Sequence, residues 1–205
     1  MESSVLLYFL AASVLLTVAP GPDNMYLLAK SLSEGARSGI VLSCGLVSGI
    51  LFHTTLVILG IAALVASNPW AFAAIQYAGA AYLLYLAWGA FRSEGNLSIG
   101  GAGASVSYGA LYRRGVLMNV LNPKVLLFFL AFLPQFVDLS GPSAGFRIAL
   151  LGLVFALQGL LVFSLIAVCA ARIRRLILRK KNLGQILART EGCVLVAIAM
   201  ALLLE

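Results

Sequence analysis

Long apolar runs dominate this sequence and restrict what it can fold into. Hydrophobic residues make up 62% of the 205-residue chain and charged residues only 10%. A soluble domain of this size cannot bury so much apolar surface, whereas runs of about 20 apolar residues match the hydrocarbon thickness of a bilayer. The sequence therefore predicts an all-α integral membrane protein, with residues 1–205 forming a single transmembrane domain.

Six apolar runs are the predicted transmembrane helices. They cover residues 5–19, 39–66, 70–91, 116–137, 148–171 and 192–204. The last run is about 20 Å long as a helix, which is short for a crossing unless that helix begins near Leu183 and Arg189 extends to the interface. A stretch rich in Gly, Ser and Ala divides the chain into repeat one (about 1–92), a flexible linker (about 93–112) and repeat two (about 113–205).

The basic residues predict the orientation of these helices. Of the 14 Lys and Arg residues, 12 lie in the first, third and fifth connections; Arg147 alone lies in an even-numbered one, and Lys124 lies inside an apolar run. Since Lys and Arg concentrate in cytoplasmic loops, the odd-numbered connections are predicted to be cytoplasmic and both termini external.

A basic cluster at residues 172–181 accounts for much of the net charge of +7. Nucleic acid is one partner that such a cluster can bind, but nothing resembling a nucleic-acid-binding fold accompanies it. An anchor on anionic membrane lipid is the favoured interpretation, and no nucleic-acid partner is expected.

Two proline motifs interrupt apolar helices at matching places. The first, Pro-Gly-Pro-Asp-Asn at residues 20–24, must break helical hydrogen bonding, and the second lies at residues 119–124. The Pro-Asp and Pro-Lys dipeptides of the two motifs are 101 positions apart. Two halves of three spans each would enter the membrane in opposite directions, so the pattern predicts two inverted three-helix repeats with Pro-broken helices, a plan common in secondary transporters. The alternative is that both motifs are ordinary interfacial turns.

These motifs resemble those of the LysE/RhtB family of amino-acid exporters. The resemblance rests on Ala-Pro-Gly-Pro-Asp at residues 19–23, on Asn-Pro-Lys at residues 122–124, and on glycines spaced along the second helix at Gly35, Gly39, Gly45 and Gly49. It implies a transporter and not an enzyme, without a cofactor, that exports amino acids or related metabolites across the bacterial cytoplasmic (inner) membrane using the proton gradient.

The second helix departs from the pattern of the basic-amino-acid exporters in that family. Those members carry an acidic residue there, whereas this chain has Ser-Gly-Ile at residues 48–50. The missing counter-charge favours neutral substrates such as threonine or homoserine.

An amino-acid substrate is zwitterionic, so its site must supply both signs of charge. Lys124 follows Pro123 at a predicted helix start, where the helix dipole disfavours a cation and a compensating group is needed. We expect Lys124 to pair with Asp23 between substrate visits, and each to bind one end of the substrate. Three amides, which either line the site or cap the broken helices, complete the predicted set: Asn24, Asn119 and Asn122. The residues expected to shape the breaks are Pro20, Gly21, Pro22 and Pro123.

His53 is the only histidine and lies in the second apolar run. Because imidazole titrates near neutral pH, His53 is the candidate for carrying the coupling proton. A neutral imidazole that bonds a neighbouring helix is the structural interpretation. In the same helix, Gly45 and Gly49 form a small-residue face that suits packing within the bundle or, alternatively, a homodimer contact.

Two other functions are alternatives to amino-acid export. A membrane protein that transfers electrons through thiols requires facing cysteines, but Cys44, Cys169 and Cys193 lie apart in apolar stretches without CxxC spacing. A metal-ion exporter requires clustered ligands, and one histidine with Asp23 as the intramembrane acid makes a poor set, so no metal site is predicted. The absence of a GxxxxGK[ST] motif favours an ion gradient as the energy source.

Overall fold

The computed structural model describes residues 3–61, 69–93, 106–139, 141–172 and 183–204, and within them the chain is helical without strands. The helices are α1 Ser3–Val18, α2 Pro22–Glu34, α3 Ala36–Leu56, α4 Pro69–Arg92, α5 Tyr108–Val120, α6 Pro123–Leu127, α7 Ala144–Arg172 and α8 Leu183–Leu204. A π turn at Val57–Ile61 extends α3, and a π turn at Phe128–Phe132 followed by a 3-10 turn at Leu133–Phe136 extends α6. The all-helical prediction is confirmed for this part of the chain.

Three of these helices are long and apolar enough to cross a bilayer unaided: Ala36–Gly60, Ala144–Arg172 and Gly184–Leu204. Two further spans arise if each bent pair counts as one, the pair α1 and α2 bending by 59° and the pair α5 and α6 by 50°. Length and hydropathy thus support three to five spans. Helix α4, with 24 residues, has a spanning length and would be the sixth; the six-span arrangement stays a prediction.

Both bends fall at the proline motifs. Helix α1 ends at Val18, and α2 begins at Pro22 after Gly21, whose backbone is extended with φ −169°. Pro123 likewise takes the first position of α6. A proline is well placed at a helix start, since the N–H that it lacks would have no intrahelical partner there. The same missing N–H prevents the preceding helix from continuing, which explains why both spans are interrupted.

The outer segments differ from the predicted boundaries in two places. Helix α8 begins at Leu183, the earlier of the two starts considered for the sixth segment, so Glu191 lies inside a helix and not before it. Helix α5 begins at Tyr108, inside the predicted linker 93–112, because Ser107 caps it by accepting a hydrogen bond from the Ala110 N–H at 3.3 Å. The rest of the linker, residues 94–105, lies outside the described residues, as does the basic cluster beyond Arg172.

Glycines bring α3 against α5 at backbone distance. A Cβ added to Gly45 would overlap the carbonyl oxygen of Tyr112, and one added to Gly115 would lie 2.6 Å from the carbonyl oxygen of Leu42. One turn further along α3, a Cβ on Gly49 would lie 2.7 Å from Asn119. The small-residue face of α3 therefore packs inside the bundle, and this packing places Asn119 at the second break.

The remaining helices enclose the two breaks. Helix α7 packs against α3 on one side and against α1 and α2 on the other, while α8 packs against α4 and α1. Rings from α6 and α7 form a cluster beneath the breaks, with centroid separations of 5.3 Å for Phe128 and Phe155 and 5.1 Å for Phe129 and Phe155. Each break thus lies within protein, where irregular backbone is tolerated in a membrane protein.

Two cation–π contacts place the first and third connections at the same end of the bundle. The Arg37 guanidinium lies 5.1 Å from the Tyr108 ring centre, and the Arg114 guanidinium lies 4.1 Å from that of Tyr26. This is the relation that the predicted topology requires of two odd-numbered connections. That this end faces the cytoplasm stays a prediction.

Candidate functional site

The two helix breaks meet at the end of α1, where backbone carbonyls lose their helical partners. The Asn24 side-chain amide donates to the carbonyl oxygens of Thr17, at 2.8 Å, and Ala19, at 2.7 Å. The Lys124 ammonium, from the second break, also donates to the Ala19 carbonyl at 3.0 Å. Side chains from α2 and α6 thus satisfy carbonyls that α1 leaves free. The contact from Lys124 joins the two halves of the chain.

Asn122 links the second break to Asp23. Its side-chain oxygen accepts from the Lys124 backbone N–H at 3.0 Å and so caps α6, while its NH₂ group donates to the Asp23 carboxylate at 2.8 Å. The Asn119 side chain also interacts with this carboxylate. Asn122 is therefore both a helix cap and a site residue, the two roles that the sequence left open for the amides.

Asp23 and Lys124 lie in the same site but do not form the direct ion pair expected from the sequence. Within the described residues the single ion pair joins Lys30 to Glu34, one helical turn apart at the end of α2. Asp23 instead bonds Asn122, and the Lys124 ammonium turns to the Ala19 carbonyl. The expected pairing is thus corrected to an indirect link through Asn122.

Glu191 on α8 is a site residue that the sequence reasoning missed. A Cβ placed on Gly21 would lie 2.9 Å from the Lys124 ammonium and 3.2 Å from a Glu191 carboxylate oxygen. The two charged groups therefore converge on the bare backbone of Gly21 and are at most about 6 Å apart. The detectable signal was the short sixth run: extending it to Leu183 brings this acid into the helix.

His53 makes the contact that its structural interpretation requires. It is 0% exposed, and its Nε2 lies 3.0 Å from the carbonyl oxygen of Asn119, next to the second break. Its ring packs against the Phe129 ring at 5.8 Å, and its Nδ1 is buried without a hydrogen-bond partner. The structure thus places His53 behind Asn119, and its role in proton coupling remains a prediction.

A small cavity of about 20 Å³ lies between the breaks, large enough for about one water molecule. Its polar lining is Thr17, Asp23, Asn24, Asn119 and Lys124, and its apolar lining is Leu16, Ile50, Val125, Phe155 and Phe163. Four of the five predicted binding residues therefore line one cavity, and the fifth, Asn122, stands beside it. The five are between 2% and 8% exposed, so the site is nearly closed.

Two oxygen atoms in this lining have no hydrogen-bond donor. The side-chain oxygens of Asn24 and Asn119 are both buried and unpartnered. Leaving a buried acceptor unsatisfied costs about 1–3 kcal/mol, so such groups mark a place where a donor is expected to bind. Together with the Asp23 carboxylate, they are acceptors on residues that line the cavity, and the Asn119 oxygen lies against Gly49.

The cysteines that thiol electron transfer would require lie elsewhere. Cys44, Cys169 and Cys193 are all exposed on the outside of the bundle, away from the cavity lining. Among the residues that the structure describes, no three or more His, Cys, Asp and Glu side chains gather into a group that could hold a metal ion.

The apolar helices and the charged, nearly closed site between two broken ones define a multi-pass membrane protein of the transporter class. The chain belongs to the LysE type translocator family, whose model matches residues 14–205. No solved structure matches the chain.

Two kinds of relative show the extent of the similarity. The leucine efflux protein of Salmonella typhimurium is 29% identical over 206 residues, covering 98% of this chain and 96% of the relative, and that of Salmonella typhi matches equally. An uncharacterized membrane protein of Vibrio cholerae is 37% identical over 138 residues, which is 67% of each chain.

Proposed function

We propose that this protein is a secondary active exporter of neutral amino acids across the bacterial cytoplasmic membrane, driven by the proton gradient. Membership of a translocator family and the similarity to leucine efflux proteins support the export of an amino acid. The observation that carries the proposal is a single cavity whose lining residues include both buried acceptors and the Lys124 ammonium.

The hydrogen-bond acceptors on the residues that line the cavity suit the ammonium group of an amino acid. An ammonium has three N–H donors and no acceptor. Asp23 supplies a carboxylate, and Asn24 and Asn119 each supply an unpartnered buried oxygen. Three acceptors for three donors would satisfy both the substrate and the orphaned amides.

Lys124 suits the carboxylate of the same substrate. Its ammonium carries three donors and makes one hydrogen bond, to the Ala19 carbonyl. The remaining donors are available to a carboxylate at the broken end of α1. The Lys124 ammonium also lies where the two helix breaks meet. A movement of either repeat would therefore change the groups that surround it.

The apolar lining favours a substrate with an uncharged, aliphatic side chain. Leu16, Ile50 and Phe155 face the cavity together with Val125 and Phe163. A charged substrate side chain would lose its hydration against this surface without gaining a counter-charge. Leucine fits this wall better than threonine or homoserine, whose hydroxyl groups would need a polar partner.

The contacts between helices support an inverted-repeat transporter. Exchanging α1 and α2 for α5 and α6, α3 for α7, and α4 for α8 maps the packing of α3 on α5 onto that of α7 on α1, and it leaves the contacts of α3 with α7 and of α4 with α8 unchanged. A leucine molecule needs several times the present cavity volume. We therefore interpret the conformation as a closed one, between states that open to either side of the membrane.

Export can be tested with the purified protein in liposomes loaded with radiolabelled L-leucine. An acidic exterior should drive leucine out of the loaded liposomes, and Lys124→Met should abolish this efflux. Lys30→Met is the matched control, since Lys30 pairs with Glu34 outside the cavity and should leave efflux intact. Lysine and threonine loaded in parallel report the preference for apolar substrates. Equal leucine efflux from wild-type and Lys124→Met liposomes would refute the assignment of the site.

A further inference from the structure

The charged groups around the cavity do not balance. Asp23 and Glu191 supply two carboxylates, and Lys124 supplies one ammonium. On the elements packed around Asp23, the other titratable group that acts on it is His53 of α3. The cavity lining contributed by α7, Phe155 and Phe163, carries no charge. One carboxylate is therefore left without a basic partner of its own.

Lys124 is matched mainly by Glu191. Their charged atoms converge on Gly21, at most about 6 Å apart, whereas Asp23 is linked to the second break through the Asn122 amide. Helix α8 packs against α4, whose Arg92 turns its guanidinium onto the Trp88 ring at 4.3 Å. Among the described residues, the Lys124 ammonium is the charged group that acts on Glu191.

Asp23 is the carboxylate left over. Its direct partner is the neutral amide of Asn122, with the Asn119 side chain as a second contact. Among the described residues no Lys, Arg or His nitrogen comes within ion-pair distance of it. A carboxylate buried in this way needs a proton or a cation whenever the cavity closes around it.

We propose that Asp23 exchanges the coupling proton for the ammonium group of the substrate, while Glu191 acts as the fixed counter-charge of Lys124; this inference rests on the proposed function. A proton and an ammonium cannot occupy the carboxylate together, so the closed cavity carries one or the other. The protein then carries substrate in one direction and a proton in the other, which is the exchange that proton-driven export requires.

His53 serves a different purpose in this scheme. Its Nε2 is engaged with the Asn119 carbonyl, and its ring lies against Phe129. A proton on Nδ1 would create a cation in this aromatic and fully buried position. His53 therefore positions Asn119, and the substrate ammonium does not displace a proton from it.

The test measures proton release when ligands bind to the purified protein, by calorimetry in two buffers with different heats of ionisation. The probes are L-leucine, leucinol, which keeps the ammonium and lacks the carboxylate, and 4-methylpentanoate, which keeps the carboxylate and lacks the ammonium. In the acidic range, the binding of leucine or of leucinol should release about one proton. The affinity of the protein for either ligand should therefore fall about tenfold for each unit by which the pH is lowered. Binding of 4-methylpentanoate should release none.

Variants assign this proton to a residue. Asp23→Asn should lose leucinol binding and keep 4-methylpentanoate binding, which also shows that the variant is folded. His53→Gln should retain proton release, and Glu191→Gln should reduce it, because Lys124 then turns to Asp23. Leucinol binding that is independent of pH in the wild type, or a loss of proton release in His53→Gln but not in Asp23→Asn, would overturn the inference. Failure of the export proposal is recognised separately, by an absence of leucine efflux from wild-type liposomes.

Discussion

Replacing Asn122 with alanine removes two interactions with one side chain. The first is the cap on the Lys124 N–H, for which a typical loss is about 1 kcal/mol. The second is the hydrogen bond to the Asp23 carboxylate, which contributes about 1.5–3 kcal/mol at a pH where that carboxylate is ionised. Together they predict that Asn122→Ala lowers the free energy of unfolding by about 3 kcal/mol. At about 2–4 °C per kcal/mol for a chain of this size, Tm should fall by about 6–12 °C.

The assay is thermal unfolding in detergent, followed through the fluorescence of Trp70 and Trp88, the two tryptophans of the chain. Ser107→Ala is the matched control, since Ser107 caps α5 through one hydrogen bond and has no contact with the site. It should lose about 1 kcal/mol at most. If Asn122→Ala lowers Tm no more than Ser107→Ala does, the bond to Asp23 contributes nothing and the reasoning is refuted.

Substitutions at Gly45, Gly21 and His53 test three further parts of the structure. Gly45→Ala should cost about 1–3 kcal/mol or more because its methyl group meets the backbone of α5, whereas Gly109→Ala, with open space around it, should be neutral or stabilising in the same thermal assay; equal Tm values would argue against the close crossing. Gly21→Ala should displace the Lys124 ammonium from its position beside the Ala19 carbonyl, and the loss of one proposed hydrogen bond from this ammonium to the leucine carboxylate, about 1 kcal/mol, predicts about fivefold weaker leucine binding by calorimetry; unchanged affinity would contradict this. His53→Leu removes a hydrogen bond to the Asn119 carbonyl, which keeps its bond from the Asn122 N–H, and should lower stability by about 0.5–1.5 kcal/mol, while His53→Gln should restore most of it, and equal loss in both would point to ring packing instead.

The sequence was sufficient to locate the two breaks and the residues around them. Proline lacks the N–H that a continuing helix needs, so the interruptions at Pro22 and Pro123 follow from covalent structure alone. The shared offset of 101 positions then implied that Asp23 and Lys124 belong to one site. This inference needed no knowledge of how the helices pack.

The interaction partners of each charged group could not be predicted from the sequence. They depend on which helix faces are turned together, and the contact between Lys124 and α8 joins segments far apart in the chain. A lysine at a helix start does need a compensating charge, but the sequence offers Asp23 for that role through the matching proline motifs. Glu191 precedes the apolar run that begins at Gly192, so hydropathy alone does not place it in a helix.

His53 shows a similar limit. A lone histidine in an apolar helix is consistent with either proton transfer or a structural hydrogen bond. Which interpretation applies depends on the group that lies opposite the His53 ring. Gly49 makes room there for Asn119, whose carbonyl oxygen lies within hydrogen-bond distance of the imidazole. Spacing within α3 gave no information about that neighbour.

The hydrogen bond between Asn122 and Asp23 also bears on how the protein is made. It spans 99 positions, so the ribosome completes α2 long before the amide that will hold its carboxylate. A nascent chain that ends before α5 also leaves Gly45 without the Tyr112 backbone and Gly49 without the Asn119 side chain that pack against them. Helix α2 therefore cannot settle at its final depth until the second proline motif has entered the membrane, and a chain truncated in between should be an early target for membrane proteases.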